Sequence, residues 1–156
     1  MHRRRREDVL PTVRRHGMGT LTYSPLSGGW LSGRYRKNAS EGRASAARPQ
    51  ARFDMSTPAN QRELDAVERL AALAEKSGLT LIELAVAFVI NHPGVTSAII
   101  GPRTMEQLVA FLPAVAVTLF SDVLDAIDEI VAPGVTVNPV DNSYGDFALR
   151  ADQRRR

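Results

Sequence analysis

Apolar residues recur at helical spacing over a long stretch that begins near residue 57 and stops at Gly78. Thr57 is a residue type that caps helix N-termini, and Pro58 is well tolerated at the first helical position. The inward-facing positions are Leu64, Val67, Leu70, Ala71, Leu73 and Ala74. This spacing predicts an amphipathic helix from Pro58 to just before Gly78, with one face buried in a core.

A second helix is predicted directly after the first, from Leu81 to Asn91. Thr80, followed three residues later by Glu83, forms a capping box in which each side chain satisfies a backbone N–H of the other residue. The helix is apolar on most sides, so we expect it to be buried. A His-Pro-Gly sequence at residues 92–94 ends it.

Three shorter helices complete the helical pattern. Their predicted ranges are Glu7 to Arg15, Met105 to Leu112 and Asp122 to Val131. Gly17 stops the first of them, because glycine readily adopts the left-handed conformation that ends a helix. The second begins with a capping box of Thr104 and Gln107, and the third with Ser121 as its N-cap.

Two short stretches rich in β-branched and aromatic residues predict strands. The first runs from Met18 to Tyr23, and the second, from Val95 to Ile100, is apolar enough to be a buried parallel strand. Strands and helices therefore alternate, as expected of an α/β fold. Two parallel strands cannot cover so many apolar helices, so we expect the chain to be part of a larger structure.

The segment from Arg36 to Ser56 is polar, rich in alanine and almost without apolar periodicity. This pattern predicts a mobile surface excursion that is long enough to act as a lid. After Pro133 and Gly134 the chain is predicted to be irregular. The predicted organisation is a basic tail (1–6), a folded domain (7–133) with a flexible loop at 36–56, and an irregular C-terminal tail (134–156).

Composition adds a few exclusions. The 156 residues carry a net charge of +3 and no cysteine, which excludes disulfides, thiolate zinc sites and cysteine nucleophiles. The basic excess lies largely in Arg3–Arg6 and Arg154–Arg156 without interleaved aromatic residues, so solvated tails are favoured over nucleic-acid binding. No apolar run is long enough to cross a membrane, and a cytoplasmic location is the default expectation.

Each predicted strand runs into a loop that carries anion-binding groups. Residues 24–35 combine the Ser24 hydroxyl, glycines whose backbone N–H groups can approach a ligand, and the Arg34 guanidinium. Trp30 is expected to pack this loop against the core. After the second strand, Arg103 stands beside the free N–H groups of a helix start, where a phosphate is favoured. Taken singly, either loop also fits an ordinary turn between a strand and a helix.

Together the two loops resemble a known family. The string GMGTLTYSPLSGGWLSGRY at residues 17–35, followed by GVTSAIIGPRTMEQL at residues 94–108, is similar to the seventh and eighth strand regions of the aldo-keto reductases. The similarity extends from about Glu7 to Pro133. It implies an α/β fold that is part of a (β/α)8 TIM barrel, comprising the last two β/α units and the C-terminal helices.

The resemblance also implies a binding site for the cofactor NADP. Its residues are Tyr23, Ser24, Pro25, Leu26, Gly28, Arg34, Gly101, Arg103 and Gln107. In the family, the aromatic residue at the Tyr23 position stacks on the nicotinamide ring, residues equivalent to 24–28 line the pyrophosphate, and the basic residue at Arg34 reaches a phosphate. Gly101, Arg103 and Gln107 match the segment around the adenosine ribose and its 2′-phosphate, which favours NADP over NAD.

Two departures from the family pattern bear on function. Ala110 and Phe111 stand where the family often has an acidic residue and an asparagine that contact adenine, so Phe111 offers stacking without those hydrogen bonds. The family's catalytic tyrosine, lysine, aspartate and histidine come from the first half of the barrel, whereas this chain resembles the second half. The sequence therefore predicts no catalytic residue in this chain.

No other group offers a substitute for the missing catalytic set. The histidines are His2 in the tail and His16 and His92 at helix ends, positions typical of structural or solvent-exposed histidines. Tyr35 and Tyr144 have no lysine and aspartate nearby to tune them for proton donation. No cluster with metal-ligand spacing is present in the sequence, so no metal site is predicted.

The sequence thus predicts an aldo-keto reductase-like NADP-dependent oxidoreductase that interconverts carbonyl and alcohol groups. This chain would supply the cofactor-binding half and be inactive alone. The alternative is a non-catalytic module that binds NADP or a partner and completes a barrel with an N-terminal fragment or by self-association. Nucleic-acid binding through the arginine-rich termini is a remote alternative.

Overall fold

The computed structural model describes residues 9–37 and 53–138 of the chain. Within these ranges the helices are α1 (Val9–Arg15), α2 (Pro58–Lys76), α3 (Leu81–Ile90), α4 (Met105–Phe111) and α5 (Ser121–Ile130), and the strands are β1 (Leu21–Tyr23) and β2 (Ser97–Ile99). Two 3₁₀ segments lie at Ser27–Ser32 and Leu112–Ala116. The predicted basic tail, residues 38–52 of the predicted excursion, and the tail beyond residue 138 lie outside the described residues.

The two strands form a parallel sheet, with α2 and α3 in the connection between them. Leu21 pairs with Ser97, and Tyr23 pairs with Ile99. The α/β prediction is therefore confirmed for the described residues, but both strands are shorter than predicted. At the N-terminal end of the strands the backbone pairing stops at Thr20, whose N–H donates to the Thr96 hydroxyl at 2.9 Å. At the C-terminal end, β1 stops at Ser24, which has a left-handed backbone with φ 56°.

The prediction that the second strand is buried is wrong. Ser97 and Ile99 are exposed and Ala98 is only half-buried, because helices cover one face of this sheet and α3 contacts β2 from that face. The opposite face carries Leu21, Tyr23 and Ile99, with exposed fractions of 66%, 61% and 54%. A two-stranded sheet that carries helices on one face leaves the other face open to solvent.

The core lies between α2, α3, α5 and the first 3₁₀ segment. From α2 it takes Leu64, Val67, Leu70, Ala71 and Ala74, so the predicted inward-facing positions are confirmed except for the half-buried Leu73. The apolar helix α3 is buried at most positions, as predicted. Each fully buried leucine or valine contributes about 1.5–3 kcal/mol by leaving water.

The capping box predicted for α3 is confirmed. The Thr80 hydroxyl accepts from the Glu83 N–H at 3.1 Å, and the Glu83 carboxylate accepts from the Thr80 N–H at 2.6 Å. At α2, Thr57 is the N-cap as predicted, although its side chain makes no capping hydrogen bond. The Thr57 side chain therefore satisfies none of the N–H groups in the first turn. Pro58 has no N–H group, so the first turn has one fewer donor to satisfy.

Two other predicted caps need correction. At α4, the Thr104 hydroxyl accepts from the Gln107 N–H at 3.3 Å, but the Gln107 side chain accepts from the Arg103 N–H instead of completing the box. At α5, Ser121 is the first helical residue and not the N-cap, a position that Phe120 occupies with an extended backbone. Asp122 then provides a negative charge in the first turn, which favours the helix start electrostatically.

Candidate cofactor-binding site

The two predicted binding loops begin side by side. In a parallel sheet the carboxyl ends of neighbouring strands lie at the same edge, and Tyr23 is paired directly with Ile99. Ser24 and Ile100 therefore leave the sheet as neighbours, and the loops that follow them share this edge. The structure thus starts both predicted loops at one edge of the sheet, the edge at which ligands bind in folds with parallel strands.

Tyr23 is the last residue of β1, and its side chain lies on the open face of the sheet. Alternation along the strands places Leu21 and Ile99 on the same face. An accessible aromatic ring flanked by apolar side chains can stack against a planar ligand, and it is not a core aromatic residue in this structure.

The loop after β1 owes its shape to positive backbone angles and to internal hydrogen bonds. Ser24, Ser27, Gly28 and Gly29 have φ of 56°, 49°, 68° and 113°. The Gly28 N–H donates to the Ser24 hydroxyl at 3.0 Å, and the Gly29 N–H donates to the Leu26 carbonyl at 2.9 Å. These N–H groups, which the sequence suggested would face a ligand, are used within the loop; the glycines serve mainly its left-handed turns.

Three aromatic rings anchor this loop in the core. Trp30 is 0% exposed, and its ring centroid lies 4.9 Å from that of Phe53 and 6.0 Å from that of Tyr35. The rings of Tyr35 and Phe53 stack at 3.9 Å and an interplanar angle of 9°. The prediction that Trp30 packs the loop is confirmed. Tyr35 and Phe53 were missed as anchors: Tyr35 directly precedes the polar segment, and Phe53 lies inside it and packs against the core.

Three basic residues follow the glycines, and two of them pair with α2. The Arg36 guanidinium lies 2.9 Å from the Glu75 carboxylate and 3.2 Å from that of Glu68. Lys37 Nζ lies 2.8 Å from Asp65. The hydrogen bond to Glu75 is the main cause that raises the pKa of Arg36, and the hydrogen bond to Asp65 is the main cause that raises the pKa of Lys37.

Arg34 differs from these two neighbours. Its side chain is exposed, and among residues 9–37 and 53–138 no carboxylate lies within ion-pair distance of it. Its guanidinium is therefore the charge in this segment that α2 leaves available to an anion.

The loop after β2 is held by hydrogen bonds at the surface. The Gln107 side-chain oxygen accepts from the Arg103 N–H at 2.8 Å, while Gly101 and Arg103 are exposed. Glu106 was missed by the sequence reasoning. Its own backbone N–H and then the Thr104 hydroxyl lower the pKa of its carboxyl group, so a negative charge lies at the start of α4. This charge opposes a phosphate at the same place.

The remaining candidates have structural surroundings. Phe111 and Ala110 are half-buried at the end of α4. His92 Nδ1 accepts from the Gly94 N–H at 3.0 Å, and His16 is an exposed residue beyond α1. Within the described ranges, no group of three or more potential ligands is arranged to hold a metal ion. Nor does any helix there have the length and apolarity to cross a membrane.

Comparison with known proteins places these features in a family. Residues 1–132 match the model of the aldo/keto reductase family. The chain is 34% identical over 128 residues to a putative voltage-gated potassium channel subunit beta of Schizosaccharomyces pombe, covering 80% of this chain and 37% of that protein. It is 32% identical over 123 residues to an uncharacterized oxidoreductase of Bacillus subtilis, covering 79% of this chain and 35% of the relative.

A solved structure gives the same assignment. The glycerol dehydrogenase of Gluconobacter oxydans superposes with a TM-score of 0.69 at 26% sequence identity, over 90% of this chain and 42% of that protein. The chain thus spans well under half the length of each of these relatives.

Proposed function

The chain belongs to the aldo/keto reductase family, and on that premise we propose that it forms the NADP-binding part of an oxidoreductase. Members of this family are (β/α)8 barrels that generally use NAD(P)H. The reaction class is the interconversion of carbonyl and alcohol groups. The observation that carries the proposal is the parallel pairing of Tyr23 with Ile99, which starts both predicted binding loops at one edge of the sheet. In this proposal β1 and β2 are the last two strands of the barrel.

The first loop would bind the nicotinamide and the pyrophosphate. The exposed Tyr23 ring stacks on the nicotinamide. The Ser24 hydroxyl accepts from Gly28, so its hydrogen remains to donate to a phosphate oxygen, with Pro25 and Leu26 lining the same turn. Gly28 adopts the left-handed conformation that this turn requires, and Arg34 supplies the positive charge for a phosphate.

The second loop would bind the adenosine 2′-phosphate. Arg103 is exposed and follows Gly101, a glycine beside which an added Cβ would meet no heavy atom within 4 Å. Open space on that side suits a close ligand. Gln107 supports this loop through its side-chain oxygen, which accepts from the Arg103 N–H, and its side-chain NH2 group can still donate to the ligand. A guanidinium binds a phosphate better than a ribose hydroxyl, which favours NADP over NAD.

The chemical step needs groups beyond those described. Bound NADPH supplies the hydride, and a proton donor beside the substrate carbonyl completes the reduction. Tyr35 is buried in the aromatic stack and His92 is engaged in a turn, so neither is offered to a substrate. We therefore propose that the 156-residue chain binds cofactor and does not turn over carbonyl substrates alone.

The direct test is to titrate the full chain with NADPH and with NADH and to follow cofactor fluorescence. We expect NADPH to bind more tightly, and Arg103→Ala to weaken NADPH binding roughly tenfold, the effect of one exposed charged hydrogen bond, while NADH binding stays within twofold. Equal losses for both cofactors would show that Arg103 does not read the 2′-phosphate. No binding of either cofactor would overturn the proposal.

A second candidate is a module that completes a barrel with a complementary segment. The open apolar face formed by Leu21, Tyr23 and Ile99 favours it, since such a face is normally covered. Sedimentation velocity over a range of concentrations, for the wild type and for Leu21→Ser with Ile99→Ser, tests self-association. Concentration-dependent association that the double variant abolishes would support it. This second candidate would be contradicted if the chain were monomeric, did not bind NADPH and did not associate with a separately supplied segment that forms the first half of the barrel.

A further inference from the structure

An acidic edge of α2 receives the segment that follows Arg34. Asp65, Glu68 and Glu75 are spaced by three and seven residues, which places them on one helix face. Asp65 and Glu75 bind only the tips of basic side chains, namely Lys37 Nζ and Arg36 Nη1. Their side chains are 62% and 66% exposed, so water competes strongly for both contacts.

Glu68 makes a different kind of contact. One carboxylate oxygen accepts from Arg36 Nε and Nη2, both at 3.2 Å, and the other accepts from the Lys37 backbone N–H at 2.6 Å. Its side chain is 24% exposed. Glu68 therefore holds the backbone as well as a side chain, in a position shielded from much of the solvent, and we call this set of bonds the Glu68 clamp.

The clamp and the buried Tyr35 fix the chain after Arg34, and hydrogen bonds of Ser32 fix it before Arg34. The Arg34 N–H donates to the Ser32 hydroxyl at 3.4 Å, and that hydroxyl donates to the Gly29 carbonyl at 2.6 Å. Tyr35 is buried in the aromatic stack. The backbone of Arg34 is thus held from both directions, while its side chain extends into solvent.

From this geometry we propose that Glu68 is a positioning residue for Arg34. By holding Arg36 and the Lys37 backbone against α2, it keeps those two charges away from the ligand and sets the direction in which Arg34 reaches a phosphate. A charge held in place before binding loses less conformational entropy when the ligand arrives. The proposal rests on the proposed cofactor function of the same loop.

The test is a double-mutant cycle for NADPH affinity on the full chain, with the variants Glu68→Ala, Arg34→Ala and both together. We expect each single variant to weaken binding by about fivefold to tenfold, as for the loss of a positioned charged hydrogen bond. In the Arg34→Ala background, Glu68→Ala should change the affinity less than twofold. A role limited to stability would give losses that multiply.

Two further measurements keep the outcome clear. Glu68→Gln retains an acceptor for the Lys37 N–H and should recover part of the affinity, whereas Glu75→Ala, which removes the exposed partner of Arg36, should change it less than twofold. Hydrogen exchange of the Lys37 amide should accelerate in Glu68→Ala and stay unchanged in Glu75→Ala. If the affinity losses of Glu68→Ala and Arg34→Ala multiply in the double variant, or if the exchange rate of the Lys37 amide is unchanged in Glu68→Ala, the positioning role of Glu68 is overturned and the proposed function is not. Failure of the wild type to bind NADPH would overturn the proposed function and the clamp with it.

Discussion

The loop after β1 is built into the core, whereas the loop after β2 is attached at the surface. In the first, Trp30, Tyr35 and Phe53 form a ring cluster, and the backbone between β1 and Trp30 contains four residues with positive φ. In the second, the contacts are hydrogen bonds of Thr104 and Gln107 around a seven-residue helix. The shape of the first loop is therefore coupled more strongly to the stability of the domain than that of the second.

The largest expected effect comes from removing the anchor of the first loop. Trp30→Ala leaves a cavity beneath the loop and should lower the free energy of unfolding by about 3–5 kcal/mol, measured by urea denaturation. Trp30→Phe keeps an aromatic ring and removes an indole N–H that has no hydrogen-bond partner among the described residues, so its loss should be clearly smaller. Comparable losses in both variants would mean that ring packing is not what anchors the loop.

Alanine substitution of one glycine in each loop should have a smaller effect on the free energy of unfolding, and the size of that effect should differ between the two loops. An added Cβ would meet no heavy atom within 4 Å at Gly33 or at Gly101, but Gly33 has φ +79° and Gly101 is outside the left-handed region. Gly33→Ala should therefore cost about 1–2 kcal/mol of unfolding free energy, and Gly101→Ala should lie within about 0.5 kcal/mol of the wild type.

The same pair of variants also tests the ligand. If the cofactor approaches the backbone closely at Gly101, then Gly101→Ala weakens NADPH binding without a loss of stability. Equal thermal midpoints together with equal NADPH affinities for Gly101→Ala and the wild type would remove Gly101 from the proposed site. A destabilised Gly101→Ala would contradict the contrast between the two loops.

The helices could be predicted from the sequence because their signals are local. The spacing of Leu64, Val67 and Leu70, and the pair of Thr80 and Glu83, depend on residues within one or two turns. The burial of β2 could not be predicted, because it depends on what covers the far face of Ile99. Short apolar strand patterns report the strand and not its environment.

The candidate site was predictable to a similar extent. The family pattern predicted the two loops, and the parallel register brings their starts to one edge. Three kinds of contact could not be read from the pattern: the internal use of the Gly28 N–H, the Glu68 clamp, and the Glu106 carboxylate at the start of α4. Each depends on where a side chain or an N–H group is directed, and motif spacing does not specify that direction.

The smallest expected effect is that of removing the Glu106 carboxylate, which lies in the first turn of α4, directly after the second loop. Glu106→Gln removes a carboxylate that opposes a phosphate beside Arg103, so NADPH affinity should rise roughly two- to fivefold, as for one charge near a helix terminus. NADH lacks the 2′-phosphate, so its affinity should not change. Asp125→Asn removes an exposed carboxylate of α5 and serves as the matched control.

The same variant has a pH signature in stability. The pKa of Glu106 is lowered in the folded chain, so its ionised form stabilises the fold at neutral pH, and this contribution is lost as the pH falls through the lowered pKa. Glu106→Gln should therefore melt slightly below the wild type at pH 7, and the two melting temperatures should converge below the usual pKa range of a glutamate. A constant difference at every pH would mean that the carboxylate does not stabilise the start of α4, and the second loop would then owe its shape to Thr104 and Gln107 alone.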